Sequence, residues 1–170
     1  NLSVLGLTID YGPYGWVDDY DPDWTPNTTD AHGRRYRFGQ QPQVALWNLV
    51  QFGRALTLLV ADAAPLQQAL EDAAAAFEVH FHGMMAHKLG LAAFDAASDR
   101  ELLEALDELL RREETDMTLF HRHLAEVDLG ALPRDPAADP GDAVLAPLLP
   151  AYYAETGPSP DTRRALGTFL

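Results

Sequence analysis

Beyond Pro42 the apolar positions fall three and four residues apart, and the chain reads as a succession of helices. Val44, Leu46, Trp47, Leu49, Val50, Leu56 and Leu59 make a broad apolar face on the first, and proline suits the first helical position. Pro65 opens a second helix that runs through an alanine-rich stretch to about Lys88, with Gly90 as its stop. Ser98, Asp99, Arg100 and Glu101 have the spacing of a capping box and start a third, which carries Leu102, Leu103, Leu106, Leu109 and Leu110. A fourth over 116–126 presents Met117, Phe120 and Leu124. Residues 130–150 break into a Pro/Gly/Asp segment with a short helical patch at 143–149, and a last helix is expected from Asp161. The apolar faces are read as core.

Ahead of the helices the pattern differs. Residues 2–10 alternate loosely, carry β-branched Val4, Thr8 and Ile9, and have Gly6 between them, so 2–5 and 7–10 are expected to pair as a short hairpin. Residues 11–41 have no helical period and are crowded with Gly, Pro, Asp and Asn; loops of this length in compact domains usually carry function. Tyr14, Trp16, Tyr20 and Trp24 are expected to anchor this loop onto the helices. The expected architecture is mainly α: a short β-hairpin (1–10), a long aromatic loop (11–41) and a helical subdomain (42–170), in a single partial domain over 1–170.

Composition narrows the function. The chain has 170 residues, of which 47% are hydrophobic, enough for a sizeable core. Twelve basic residues face 26 acidic ones, a formal charge of −14 that argues against nucleic acid, whose phosphates need clustered Lys and Arg. The one basic cluster, Arg34, Arg35, Tyr36 and Arg37, is read first as a loop anchor, with a phosphate role left open. No cysteine is present, so disulfides and thiol chemistry are excluded in this stretch. No uncharged run reaches the ~18 to 20 residues of a membrane span, and a soluble, cytoplasmic protein without membrane attachment is expected.

Two possible metal sites fail on spacing. His80, His82, His87, His121 and His123 include i, i+2 pairs that point to different helix faces, and no H-E-x-x-H occurs. Asp18, Asp19, Asp21 and Asp23 lack the spaced ligands and terminal Glu of a calcium loop and read as a solvated acidic run. A third possibility is stronger. A hairpin of two short strands returns its far end to its start, which would set Asn1 beside Asp10, two oxygen donors of the kind Mg2+ prefers. An Asn followed by a return strand ending in Asp-aromatic-Gly is also how protein kinases hold their metals. Asp10, Tyr11 and Gly12 taken alone fit a simple turn equally well.

The wider sequence carries a resemblance. "NLSVLGLTIDYGPYGWVDDYDP", "TPNTTDAHGRRYRFGQQPQVALWNL" and "KLGL" resemble the selenoprotein O (SelO, YdiU) family of kinase-like protein adenylyltransferases, closely over 1–60 and more loosely over the helices from 65 to 126. The resemblance implies part of the C-lobe of a kinase-like fold and transfer of AMP from ATP to hydroxyls of protein substrates, with Mg2+ or Mn2+. It implies Asn1 and Asp10 as metal ligands and an aspartate immediately before Asn1 as proton acceptor. The family's nucleotide-binding residues come from an N-terminal region, and neither G-x-G-x-x-G nor G-x-x-x-x-G-K occurs here, so this stretch alone is expected to bind ATP poorly and to be inactive. Gln40, Gln41 and Pro42 stand where the family commonly has Asn-Gln-Pro, and its C-terminal cysteine or selenocysteine has no counterpart. Two other readings stay open: an acidic helical interaction module without chemistry, and a kinase-like phosphotransferase. Exposed apolar surface would favour self-association.

Overall fold

The computed structural model describes residues 15–30 and 32–170, which are mainly helical. Six α-helices occur among them: α1 Gln41–Leu56, α2 Ala64–Lys88, α3 Asp99–Leu110, α4 Met117–Leu124, α5 Asp142–Leu145 and α6 Pro160–Phe169. Their positions follow the apolar periodicity closely. Pro42 sits in the first turn of α1, and Gly90 ends α2 at a φ of +73°, where the Leu91 amide reaches back to the Ala86 carbonyl. The expected hairpin over 2–10 lies outside the described residues. Among those described there is no strand, and no helix is long and apolar enough to cross a membrane.

The chain divides into two compact units, one holding residues 15–17 and 21–81, the other 18–20 and 82–170. In the second, the faces of α3 and α4 form a core with the C-terminal segments: Leu106, Leu109, Leu110, Phe120, Leu145, Leu148, Ala151, Tyr152 and Leu166 are all buried. A heptad-like spacing in α3 places its leucines on one side, against α6. Tyr20 packs on this core and donates its hydroxyl to Asp107 at 2.6 Å; burial, then the bonded carboxylate, push its phenol well above the usual value.

Two links that the pattern did not foretell close this unit. Thr115 and Tyr152 form an isolated antiparallel bridge, with the Asp116 amide on the Ala151 carbonyl at 2.7 Å and the Tyr153 amide on that of Glu114 at 3.2 Å. Glu113 accepts from the Ser159 amide and from Thr162 Oγ1, so a carboxylate just past α3 helps cap the start of α6. Burial alone would raise the Glu113 carboxyl, but the bonds from Ser159 and Thr162 hold it below the usual range. A depressed folded value contributes stability above the unfolded pKa of about 4.3, lost as pH falls through the folded value. In urea titrations, Glu113→Gln should therefore have a lower midpoint than the native chain at pH 7, with the gap narrowing below about pH 4.

Local capping is unequal. Asp116 accepts from the Thr118 and Leu119 amides and caps α4, so Asp116→Ala should cost about 1 kcal/mol of stability in a urea melt. Ser98 corrects the expected capping box: the residue already has helical φ and ψ and its hydroxyl bonds Asp99, while Asp95 organises the preceding turn. A serine whose backbone has already joined the helical conformation cannot aim its oxygen back at the third amide.

The first unit is less enclosed. α1 packs on the 3-10 turn Phe38–Gln40, and its Val44 is buried. Here the reading of every apolar face as core is overturned: Phe77, Val79 and Phe81 of α2 are exposed, as are Leu58 and Leu59 at 89% and 83%. Those two leucines belong to the turn after α1, because the helix stops at Leu56. Phe77 and Phe81 stack on each other with ring centroids 6.0 Å apart, one helical turn apart in sequence.

Candidate functional site

Asn1 and Asp10, the expected metal ligands, lie outside the described residues, as do Tyr11 and Tyr14. Their donor chemistry, one amide oxygen and one carboxylate, suits a hard divalent cation such as Mg2+. Among the described residues no group of three His, Cys, Asp or Glu side chains comes together to hold a metal.

The histidines are dispersed among separate contacts. His82 stacks flat on Phe94 at 4.2 Å, and His123 Nδ1 lies 3.3 Å from Glu126 without hydrogen-bond geometry. His121 is half-buried with Nδ1 2.6 Å from the Met117 carbonyl. Burial holds that ring below the usual histidine value, opposed by the Met117 carbonyl and helped by nearby Lys88. The acidic run is equally divided: Asp21 accepts from the Asp23 amide, Asp23 pairs with Arg37 at 3.0 Å, and the Asp18 carbonyl accepts from the Tyr153 hydroxyl.

The loop over 21–40 is built rather than loose. Asn27 and Asp30 each fold the backbone back on their side-chain oxygens, as the short polar side chains of these residues do in turns. Asp30 does the most. Its carbonyl accepts from the Arg34 amide at 2.9 Å, one carboxylate oxygen from the Gly33 amide and the other from the Arg35 amide at 2.8 Å. A Cβ on Gly33 would stand 2.6 Å from that carboxylate, so any larger residue there would have to push the Asp30 side chain aside. Arg34 is carried to a φ of +43°, a left-handed conformation strained for any side chain. The loop then docks on itself: the Phe38 amide bonds the Trp24 carbonyl, the Gly39 amide that of Pro22, and Gln41 Nε2 the Tyr36 carbonyl.

This geometry resolves the basic cluster residue by residue. Arg37 is neutralised by Asp23, and Arg34 reaches the Asp23 carbonyl at 3.3 Å. Arg35 lies over Trp47, its guanidinium carbon 4.0 Å from the ring centroid. Trp47, expected in the core, is 46% exposed and serves as that platform. Of the expected aromatic anchors, Tyr20 fills the role, whereas Trp16 is 72% exposed. Asp30 and Gly33 were missed by pattern reading, although the D-x-x-G spacing is the signal that marks such a turn.

A family model described as "Protein adenylyltransferase SelO" matches residues 1–137, a span that includes this loop and helices α1 to α4. The chain belongs to the SelO family. Among SelO relatives, a protein nucleotidyltransferase YdiU of Rhodopirellula baltica is 50% identical over 166 residues, covering 98% of this chain and 31% of its own length. YdiU proteins of Aromatoleum aromaticum and Xanthomonas oryzae pv. oryzae are 53% and 58% identical, covering 82% and 81% of this chain and 26% of their own lengths. The chain thus spans less than a third of the SelO relatives it matches.

Proposed function

We propose that this chain is the metal-holding portion of a protein adenylyltransferase that moves AMP from ATP to a hydroxyl of a protein substrate. The observation that carries this reading is the SelO family match over 1–137, which includes both Asn1 and Asp10. The relatives' names, protein nucleotidyltransferase, support the reaction class. The aspartate that the resemblance implies immediately before Asn1 is the proton acceptor for the incoming hydroxyl. Asn1 and Asp10 hold Mg2+, or Mn2+, through oxygen donors. Bound there, a divalent cation would supply positive charge that offsets the negative charge of the nucleotide's phosphates. The nucleotide lobe belongs to the part of the relatives that this chain does not span.

The competing phosphotransferase reading rests on the same kinase-like arrangement, and mass separates the two. A polypeptide of the relatives' full length carrying this sequence, incubated with Mg2+ and ATP, should add the mass of AMP to a protein substrate. Addition of phosphate instead would overturn the reading, and no modification with or without metal would favour an interaction module.

A further inference from the structure

We infer that Arg35, mounted on Trp47 with Arg34 beside it, is a docking point for carboxylates in an acidic segment of the protein that receives AMP. The inference rests on the adenylyltransferase reading for the identity of its partner, but the surface itself is read from the structure.

Charge singles the place out. In a chain of formal charge −14, no Asp or Glu occurs between Asp30 and Asp62, while Arg34, Arg35, Arg37 and Arg54 do. Of the three loop arginines, Arg37 is cancelled by Asp23. Arg34 and Arg35 are exposed, and no carboxylate pairs with the Arg35 side chain among the described residues. A guanidinium seated over an indole still has N–H edges to offer, and a carboxylate matches them with two parallel bonds. The rotamer freedom that an ordinary surface arginine would lose on binding is already restricted here.

The backbone says which oxyanion fits. A phosphate cradle is made of free loop amides. Here the Gly33, Arg34 and Arg35 amides are all occupied by Asp30, and the Arg37 amide by the Arg34 carbonyl. What the loop carries here is an exposed guanidinium over a half-exposed indole, two residue types enriched at the hot spots of protein interfaces. The strained φ of Arg34 fits the same purpose, since such strain persists where a site depends on it. An acidic partner is repelled by most of this chain and attracted at this island, which selects one orientation of approach.

The test is fluorescence anisotropy of a labelled glutamate-rich peptide carrying one tyrosine and one leucine, titrated with the 170-residue chain at low salt. Arg35→Gln should weaken binding about ten-fold, and Arg35→Lys, which keeps the charge but loses the plane, should fall between. Arg34→Gly should weaken binding less while leaving the melting temperature unchanged or raised, because glycine accepts the left-handed backbone. Added salt should erase the differences. Equal binding by Arg35→Gln, equal binding of the glutamine analogue of the peptide, or no binding of the acidic peptide would each overturn the docking point. So would displacement by pyrophosphate at concentrations where free glutamate has no effect, which would mark a phosphate site.

A second arm keeps the two readings apart. In a polypeptide of the relatives' length, Arg35→Gln should raise KM for an acidic acceptor and leave kcat and the KM for ATP unchanged. AMP transfer with an unaltered acceptor KM overturns docking alone. Arg35-dependent peptide binding without any AMP transfer leaves the docking point standing and removes the adenylyltransferase reading.

Discussion

Asp10→Ala, in a polypeptide of the relatives' length that carries this sequence, is expected to lower AMP transfer by on the order of 10²- to 10³-fold. The reasoning is electrostatic. Transfer at phosphorus asks little covalent chemistry of the protein, so most of the acceleration comes from positioning and from neutralising charge on phosphate oxygens. A carboxylate that holds the cation acts on every step in which that charge develops, whereas an exposed carboxylate elsewhere acts on none. Asn1→Ala should cost a comparable factor, and the double variant should lose little more than either single one, because ligands of one ion act as a unit. Asp18→Ala is the control: its side chain is exposed and its carbonyl, which the substitution keeps, accepts from Tyr153, so activity should be unchanged. Radiolabelled AMP transfer to an acceptor protein measures all four. Undiminished transfer in both ligand variants would remove the proposed metal pair.

Phe120→Ala should destabilise the 170-residue chain by about 3–5 kcal/mol in urea denaturation, the largest stability loss expected of any single truncation here. Phe120 has no exposed surface, and its ring lies 6.4 Å from that of Phe169. It is also the anchor of α4, a helix of only eight residues that could not form in isolation. Removing the ring therefore empties the middle of a core built from α3, α4, α6 and the segment 145–152, and weakens the reason for α4 to be helical. Phe120→Leu should lose distinctly less, since most of the volume is retained. If the alanine variant unfolds at the native midpoint, the core described for the second unit is wrong.

How much was legible follows from the range of the forces involved. α1 begins beside Pro42, α2 ends at Gly90 and α6 begins beside Asp161, where local backbone chemistry and periodicity placed them. The buried face of α3 was also visible, because leucines spaced for one side of a helix have one good place to go. Ser98 shows the limit of local reading: the right residues stood at the right spacing, but a turn organised by Asp95 changed the backbone angle the cap depends on. Trp47 shows another, for an apolar residue on an apolar face became the floor beneath an arginine from a loop twelve residues earlier. Asp30 as organiser of the loop over 21–40 was not read in advance, because its role depends on which backbone amides the folded loop brings to its carboxylate.

Taken alone, then, the amino-acid sequence determined the helices, their order and the family. Each depends on residue type and short spacing, which act between neighbours along the chain. Tertiary structure alone decided that Thr115 pairs with Tyr152, that Glu113 caps a helix 46 residues away, and that of three neighbouring arginines one is neutralised and another is seated over a tryptophan. Those outcomes depend on which distant groups meet, and on burial that exists only once they have met, so no local pattern encodes them.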